Sequence, residues 1–432
     1  MCRSPRQLED DRFPGKTAQA QAQAQSQAIA IAIAIAIAIA DSDDCMKIIY
    51  HHRTASRDGQ STHILEMIGA LRSGGHTVIE CSPQIDTAGT SDTGGSQGWV
   101  GRLKAALPRG LYELAELAYS LVAYRRLSQQ IRLHRPDGIY ERYNLYLLAG
   151  CWARRRFGLK LLLEVNAPMA VERVQYGGLT WPRLARWAEL HVWKQADVIL
   201  PVTQVLADQM VAMGIDPARI VVIPNAINED HYRHLPSVDE AKASLGLQGK
   251  LVVGFTGFVR EWDRLDRIAA WVSQRAVQYN VHLLIIGDGP ARAAIEAAAR
   301  RLGVADRVSF TGVVAREQVP ALSMAFDIAL QTALVPYASP LCLFEYLALG
   351  KAVVGPDQPN HRELLSGGVD SMLYDPDDAA GIERALDSLC ASPELRQRMG
   401  CAAQRLIRLR QLTWRQHAVK VVSLFDQVEL TR

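Results

Sequence analysis

From residue 46 onwards, short apolar runs alternate with stretches of helical period. Residues 46–50, 77–81, 138–143, 160–165, 197–203 and 220–226 read as strands of a first sheet. Residues 251–255, 281–286, 308–313, 327–330 and 352–354 read as strands of a second. Most are nearly continuous in apolar residues, as expected of strands covered on both faces in a parallel sheet. Between them, 62–72 has an amphipathic helical pattern. Residues 111–133 place apolar side chains at 114, 117, 121, 124, 127 and 131, again a helical period, and 381–425 reads as helix. Strand alternating with helix predicts the α/β class with doubly wound parallel sheets. A chain of 432 residues exceeds one ordinary core, so two domains are expected.

Residues 1–45 break the pattern. Positions 18–27 alternate Ala or Ser with Gln, and positions 28–40 alternate Ala with Ile. The second run is shorter than the roughly 20 residues of a membrane span, and no compact basic segment marks it as a signal peptide. The expectation is a low-complexity tail from a translated repeat, with the natural start at Met46. A membrane-dipping helix is the functional alternative.

Composition narrows the classes. Hydrophobic residues make up 49% and charged residues 22%, as in soluble globular proteins. A net charge of +3 argues against wholesale nucleic-acid binding. The cysteines (2, 45, 81, 151, 342, 390, 401) are scattered without a Cys-x-x-Cys pair. Neither a disulfide framework nor a structural zinc site is expected, and a reducing cytoplasm fits.

The chemistry concentrates at residues 337–354. Ser339 and Pro340 form a helix start, with Ser as the N-cap and Pro at the first helical position. Residues 341–349 would be a short buried helix stopped by Gly350, followed by a strand. A helix N-terminus at the end of a parallel strand is where doubly wound sheets bind ligands, and its free amides suit a phosphate. Glu345 sits among Leu343, Phe344 and Leu347, so it needs partners for its carboxylate. It lies five residues past Pro340, roughly 7.5 Å along the axis, about the distance from a diphosphate to the ribose of the same nucleotide. From spacing alone, a ribose acceptor and a buried ion pair with an Arg fit equally.

Further loops follow strand ends. Gly257 opens a loop holding Arg260, whose guanidinium fork could meet a phosphate. Asp263 there would repel a diphosphate unless it points away or pairs with Arg264. Gly287 and Gly289, then Gly312 and Val313, end the next two strands. In the first half, His51 and His52 open the loop after the first strand, one read with a role in that loop and the other as packing; Gly59 lies in the same loop, and Asn166 follows the strand at 160–165. Asn166 could bond a sugar or cap a turn. Arg102, Lys104, Arg109, Arg125, Arg126, Arg132 and Arg135 decorate the long helix, and Trp181, Trp187 and Trp193 stand with Arg183, Arg186 and Lys194. A solvated face over a packed core and a surface for anionic lipid both fit this pattern.

The segment from Ser339 to Tyr346 resembles the donor-site signature Ser-Pro-Leu-Lys-Leu-Phe-Glu-Tyr of a bacterial exopolysaccharide-type branch of the retaining GT-B glycosyltransferases of family four. The segment from Thr256 to Trp262, the glycine turns at 287–289 and 312, Tyr140 to Tyr143, Glu164 to Pro168 and the Pro-Asn-Ala at 224–226 are similar to the same branch, over about residues 46–425. The resemblance departs at three points. Tyr337 stands where the first of two paired glutamates falls, Cys342 where the branch has Lys, and Asp263 with Arg264 where it has His-Gly.

The resemblance implies a GT-B fold, two Rossmann-like doubly wound domains facing a cleft. Residues 46–225 would be the acceptor-side domain, 226–410 the donor domain, and 411–432 a C-terminal helix crossing back. Gly257, Arg260, Gly287, Gly289, Gly312, Val313, Ser339, Pro340, Leu341, Cys342 and Glu345 would bind the donor, and Gly59, Arg142 and Asn166 would lie on the acceptor side. Arg260, Glu345 and Asn166 would carry catalysis. The implied reaction moves a sugar with retention from a nucleotide diphosphate donor to a saccharide or lipid-linked saccharide, in polysaccharide or glycoconjugate synthesis. It would use no cofactor beyond that co-substrate and no metal. The expected location is cytoplasmic, at the inner face of the membrane if the anionic-lipid surface is real. A nucleotide-sugar epimerase of the same fold and a binding-only descendant with a degraded donor site are the alternatives.

Overall fold

In the computed structural model of the protein, residues 45–54, 59–83, 108–332 and 335–427 are described. The expectations for the tail therefore fall outside the described residues up to position 44. The first sheet contains β1 (Lys47–His51), β2 (Thr77–Cys81), β3 (Gly138–Arg142), β4 (Lys160–Val165) and β5 (Val198–Pro201). Its order is β2-β1-β3-β4-β5, with every pairing parallel. Its helices are α1 (Gly59–Ser73), α2 (Arg109–His134), α3 (Ala149–Phe157), α4 (Met169–Glu172), α5 (Pro182–Gln195) and α6 (Gln204–Ala212). Layers lie on both faces: Leu127, Ile131 and Trp193 pack with Ile49 and Leu163, while Met67 and Leu71 pack with Ile48 and Leu162.

The second sheet contains β6 (Leu251–Thr256), β7 (Val281–Ile286), β8 (Val308–Phe310), β9 (Ile328–Leu330), β10 (Ala352–Pro356) and β11 (Ser371–Tyr374). Its order is β11-β10-β9-β6-β7-β8, also all parallel. Its helices are α7 (Val238–Ser244), α8 (Leu265–Tyr279), α9 (Arg292–Arg301), α10 (Val319–Ser323), α11 (Leu341–Ala348), α12 (Pro359–Arg362), α13 (Gly381–Ala391) and α14 (Pro393–Leu409). The last helix, α15 (Trp414–Gln427), returns to the first sheet. Trp414, Val421 and Phe425 join the cluster of Ile48, Tyr50 and Met67. The Phe425 ring stands 2.3 Å from where a Cβ on residue 138 would be, so only Gly138 admits this helix.

Two local expectations are corrected. The segment at 220–226 is not a sixth strand: Val221 N donates to Ile199 O at 2.9 Å and Ile223 N to Pro201 O at 3.0 Å, and only an isolated bridge results. β5 ends at Pro201, and Pro224 has no amide to continue the ladder. The helix expected from residue 62 begins at Gly59.

The two sheets meet around the strand ends. Thr203 Oγ1 donates to Tyr337 O at 2.9 Å, and Tyr337 OH donates to Glu172 Oε1 at 2.7 Å. Glu363 accepts from Gln204 N and Val205 N, each at 2.7 Å, so a carboxylate of the second half caps a helix of the first.

Candidate active site between the two sheets

α11 begins one residue later than its sequence suggests. Pro340, in extended conformation, takes the N-cap position, and no side chain caps the helix. Ser339 is drawn away by the chain crossing between the sheets: its Oγ accepts from Asn225 N at 3.1 Å, and its carbonyl accepts from Asn225 Nδ2. Leu341 leans on the first sheet's core cluster. The expected stop holds, with Leu349 as C-cap and Gly350 at φ 64°.

Glu345 is 3% exposed. Arg316, on the turn after β8, forms an ion pair with it. Burial pushes the Glu345 carboxyl above its usual range, and Arg316 offsets this only in part. Cys342 lies on the same face and donates its thiol to Gln331 Oε1 at 3.4 Å. Burial pushes that thiol up to about 12, so it stays neutral.

Arg260 is exposed, its guanidinium 5.2 Å from the Phe258 ring centroid and 5.0 Å from that of Trp262. Stacking between two rings holds the fork in place without spending its donors. Asp263 is buried and does not pair with Arg264, which meets Asp266 instead. Its Oδ1 accepts from Thr332 Oγ1 at 2.8 Å and its Oδ2 from Arg260 N at 2.7 Å. Asp263 thus fixes the Arg260 loop, and its charge is still felt at Cys342, whose thiol it helps to keep neutral.

The glycines after β6 and β7 answer to each other. A Cβ on Gly287 would stand 2.0 Å from Gly257 O, and one on Gly289 would stand 2.1 Å from Val259 O. Close packing of the two loops alone requires both. Gly312, at φ 72°, bridges to Gly287, and Val313 beside it is 88% exposed.

On the opposite sheet a buried network sits at the ends of β3 and β4. Arg142 is buried, pairs with Glu164 and lies 2.6 Å from His63 Nδ1. It stands at the strand ends of the first sheet, where Glu164 and His63 hold it inside. Glu164 also accepts from Tyr140 OH at 3.0 Å, Tyr50 OH at 3.2 Å and Asn166 Nδ2 at 2.6 Å. Burial raises its carboxyl, but His63 and Arg142 outweigh that and hold it well below the carboxylate range. Asn166, half-buried, is this network's outward member. Gly59 opens α1 nearby in sequence. His51 Nδ1 lies 2.5 Å from Glu141 Oε2, and His52 Nε2 lies 3.1 Å from Glu80 Oε1. Both histidines are therefore engaged with carboxylates.

The structure thus brings Arg260, Gly257, Gly287, Gly289, Gly312 and Glu345 to one set of strand ends, and Arg142 and Asn166 to the other. Sequence reasoning missed Arg316, Glu172 and His63. Among the described residues no group of three His, Cys, Asp or Glu could hold a metal ion, and no helix is long and apolar enough to cross a membrane.

Known proteins share this arrangement. The Glycosyl transferase 4-like domain model matches residues 58–226, and the Glycosyl transferases group 1 model matches residues 237–406. The chain is 31% identical to 2-deoxystreptamine glucosyltransferase of Streptomyces kanamyceticus over 43% of its own length and 49% of that protein. It is 26% identical to 2-deoxystreptamine N-acetyl-D-glucosaminyltransferase of Streptomyces fradiae over 69% of its length and 75% of the relative. The structure of Anabaena Alr3699/HepE with UDP and glucose aligns at a TM-score of 0.65 and 17% identity, covering 88% of this chain and all of that one. Sucrose-phosphate synthase from Thermosynechococcus elongatus aligns at 0.67 and 16%, covering 88% of this chain and 98% of that one. At such identities the likeness is one of fold, two Rossmann-like domains of GT-B type.

Proposed function

The chain belongs to the GT-B glycosyltransferases built from these two domains, and on that premise we propose that it transfers a sugar, with retention, from a nucleoside diphosphate sugar to a saccharide or lipid-linked saccharide. One observation carries the donor site. Glu345 is a buried carboxylate paired with Arg316 of the turn after β8, on a helix whose next residue, Tyr346, accepts at its hydroxyl from Thr256 N at the end of β6. Such a carboxylate has acceptor capacity for two ribose hydroxyls. The diphosphate would lie between the α11 amides and Arg260. Among the described residues no side chain stands out as a nucleophile, so the rate would come from positioning and from stabilising the departing diphosphate. Asn166 would position the acceptor, its own orientation fixed through Glu164. No cofactor beyond the co-substrate and no metal enters this scheme.

Tyr337 and Cys342 favour a second reading. A phenol held by Glu172 replaces one expected carboxylate, and a neutral thiol replaces an expected cation. A binding-only protein would carry such losses. The excess of Lys and Arg in residues 46–225, with exposed Leu111 and Leu114 on α2, Trp181 just before α5 and Trp187 on it, supports an anionic membrane surface and a cytoplasmic, peripheral place.

A thermal-shift panel of nucleoside diphosphates tests the donor site, since a ligand of the folded state raises its midpoint. UDP leads the panel because the similar Anabaena structure holds it. A rise with at least one diphosphate and none with its nucleoside supports the reading. No rise with any overturns it.

A further inference from the structure

A second cavity, of about 580 Å³, lies where the chain crosses between the sheets. Val202, Pro224, Leu343, Phe344, Leu412 and Val419 form its apolar wall. Ser339 and Pro340, expected at the donor site, also line it, but the cavity opens on the other face of α11. On α11, Cys342 and Glu345 face Gln331 and Arg316, whereas Leu343 and Phe344 face this cavity. At 100° per residue these pairs point in opposite directions. The sheet order separates the two sites as well. The glycine loops follow β6, β7 and β8, on one side of β9. Asn360 and Glu363, which line the cavity, follow β10 on the other side.

Polar groups at the rim specify the ligand. Both oxygens of Glu363 are occupied by the first amides of α6. Arg410 and Lys420 also line the cavity and are exposed; Arg410 Nη1 donates to Glu363 O, desolvation lowers the Lys420 ammonium from its ordinary value, and neither has an ion-pair partner among the described residues. The Lys420 Nζ rests on Val222 O at 3.1 Å. Buried Asn360 and His417 each leave one polar atom, Oδ1 and Nε2, without a hydrogen-bond partner. Burial pushes the His417 imidazole down to about 3, so it adds no charge.

We infer that this cavity is a ligand site for a compact amphipathic anion, its apolar body against Phe344, Leu343 and Val419 and its acidic group at Lys420 and Arg410. The volume falls within the roughly 300–1,000 Å³ of small-molecule pockets. The charge at the rim complements an anion, while the wall excludes a fully polar one.

Two fluorescent probes with similar aromatic bodies test this, 1-anilinonaphthalene-8-sulfonate and the neutral N-phenyl-1-naphthylamine, titrated into the full chain. The sulfonate is expected to fill one saturable site. Val419→Trp fills the cavity from a half-buried position and should weaken that site at least about tenfold, as drug-sized pockets depend on their volume. Gln416→Trp, at the exposed rim, serves the same purpose if the first variant does not fold. Lys420→Gln should weaken the sulfonate about three- to tenfold at low salt and leave the neutral probe unchanged. An unaltered sulfonate isotherm in a tryptophan variant that melts like the parent would overturn the site. Equal loss of both probes in Lys420→Gln would overturn the anion preference. UDP should not compete with either probe, and full competition would merge this cavity with the donor site and refute its independence.

Discussion

Replacing Glu345 by Gln preserves shape and removes charge at the centre of the proposed donor site. Charge-assisted hydrogen bonds to ribose hydroxyls are worth about 1.5–3 kcal/mol. Nucleoside diphosphate affinity should therefore fall about 10- to 100-fold. The effect on stability separates ligand binding from scaffolding. Breaking a fully buried ion pair costs about 3–5 kcal/mol, chiefly from the charge left behind. Here that charge is Arg316, whose side chain is 31% exposed, so water can solvate much of it. The variant also escapes the desolvation that raises the Glu345 carboxyl. A net change within about 1 kcal/mol follows, a shift of about 4 °C or less for a protein of this size. The raised carboxyl adds a pH arm. As pH falls, Glu345 takes up its proton above the ordinary carboxylate range, so parent affinity should begin to weaken there and the Gln variant should lack that step. Isothermal calorimetry beside a melt of each protein measures all three. Intact affinity with a collapsed midpoint would refute the reasoning and leave Glu345 as the partner of Arg316 alone.

Other outcomes follow from the same geometry. Cys342→Lys puts a cation at the start of α11, so diphosphate affinity should rise about three- to tenfold at low salt and the gain should shrink as salt is added; no gain at any ionic strength places the diphosphate elsewhere. Glu189, buried and accepting from Tyr143 OH and Ala170 N, has its carboxyl pushed up by burial to about 7. The folded state thus keeps a proton that the unfolded chain loses near its lower value, so this contribution to stability is full below about pH 4.5 and is lost as pH rises through about 7. Glu189→Gln should flatten that decline, worth at most about 3 kcal/mol, and parallel melting curves against pH would count against it. Vesicles carrying anionic lipid should bind the chain weakly and release it in salt, with none bound to neutral vesicles; equal binding to both removes the electrostatic version.

Much of the fold is visible in the chain because its strands are continuous apolar runs and α11 carries its own stop at Gly350. What escaped was set by contacts between distant segments. Ser339 has the chemistry of an N-cap, yet Asn225 claims its hydroxyl, and no local pattern discloses that competition. Arg142 looks like an acceptor-side fork, but Glu164 withdraws it. Gly287 and Gly289 suggest a cradle for phosphate, and their requirement arises first from the neighbouring loop's backbone. Arg316 lies in an ordinary polar turn, and only the pairing of β8 with β7 aims it at Glu345. A lone Arg near a strand end carried no signal strong enough to single it out.

The central claim is transfer, and acceptor-dependent release of free nucleoside diphosphate tests it most directly. The full chain would be given a panel of nucleoside diphosphate sugars with saccharide, lipid-linked and cyclitol acceptors, the last because similar proteins are named for 2-deoxystreptamine. Release is expected only when donor and acceptor are both present, with a product whose anomeric configuration by proton NMR matches the donor. Inverted product would contradict retention. Epimerised donor without an acceptor, or diphosphate binding with no release under any pairing, would contradict transfer itself.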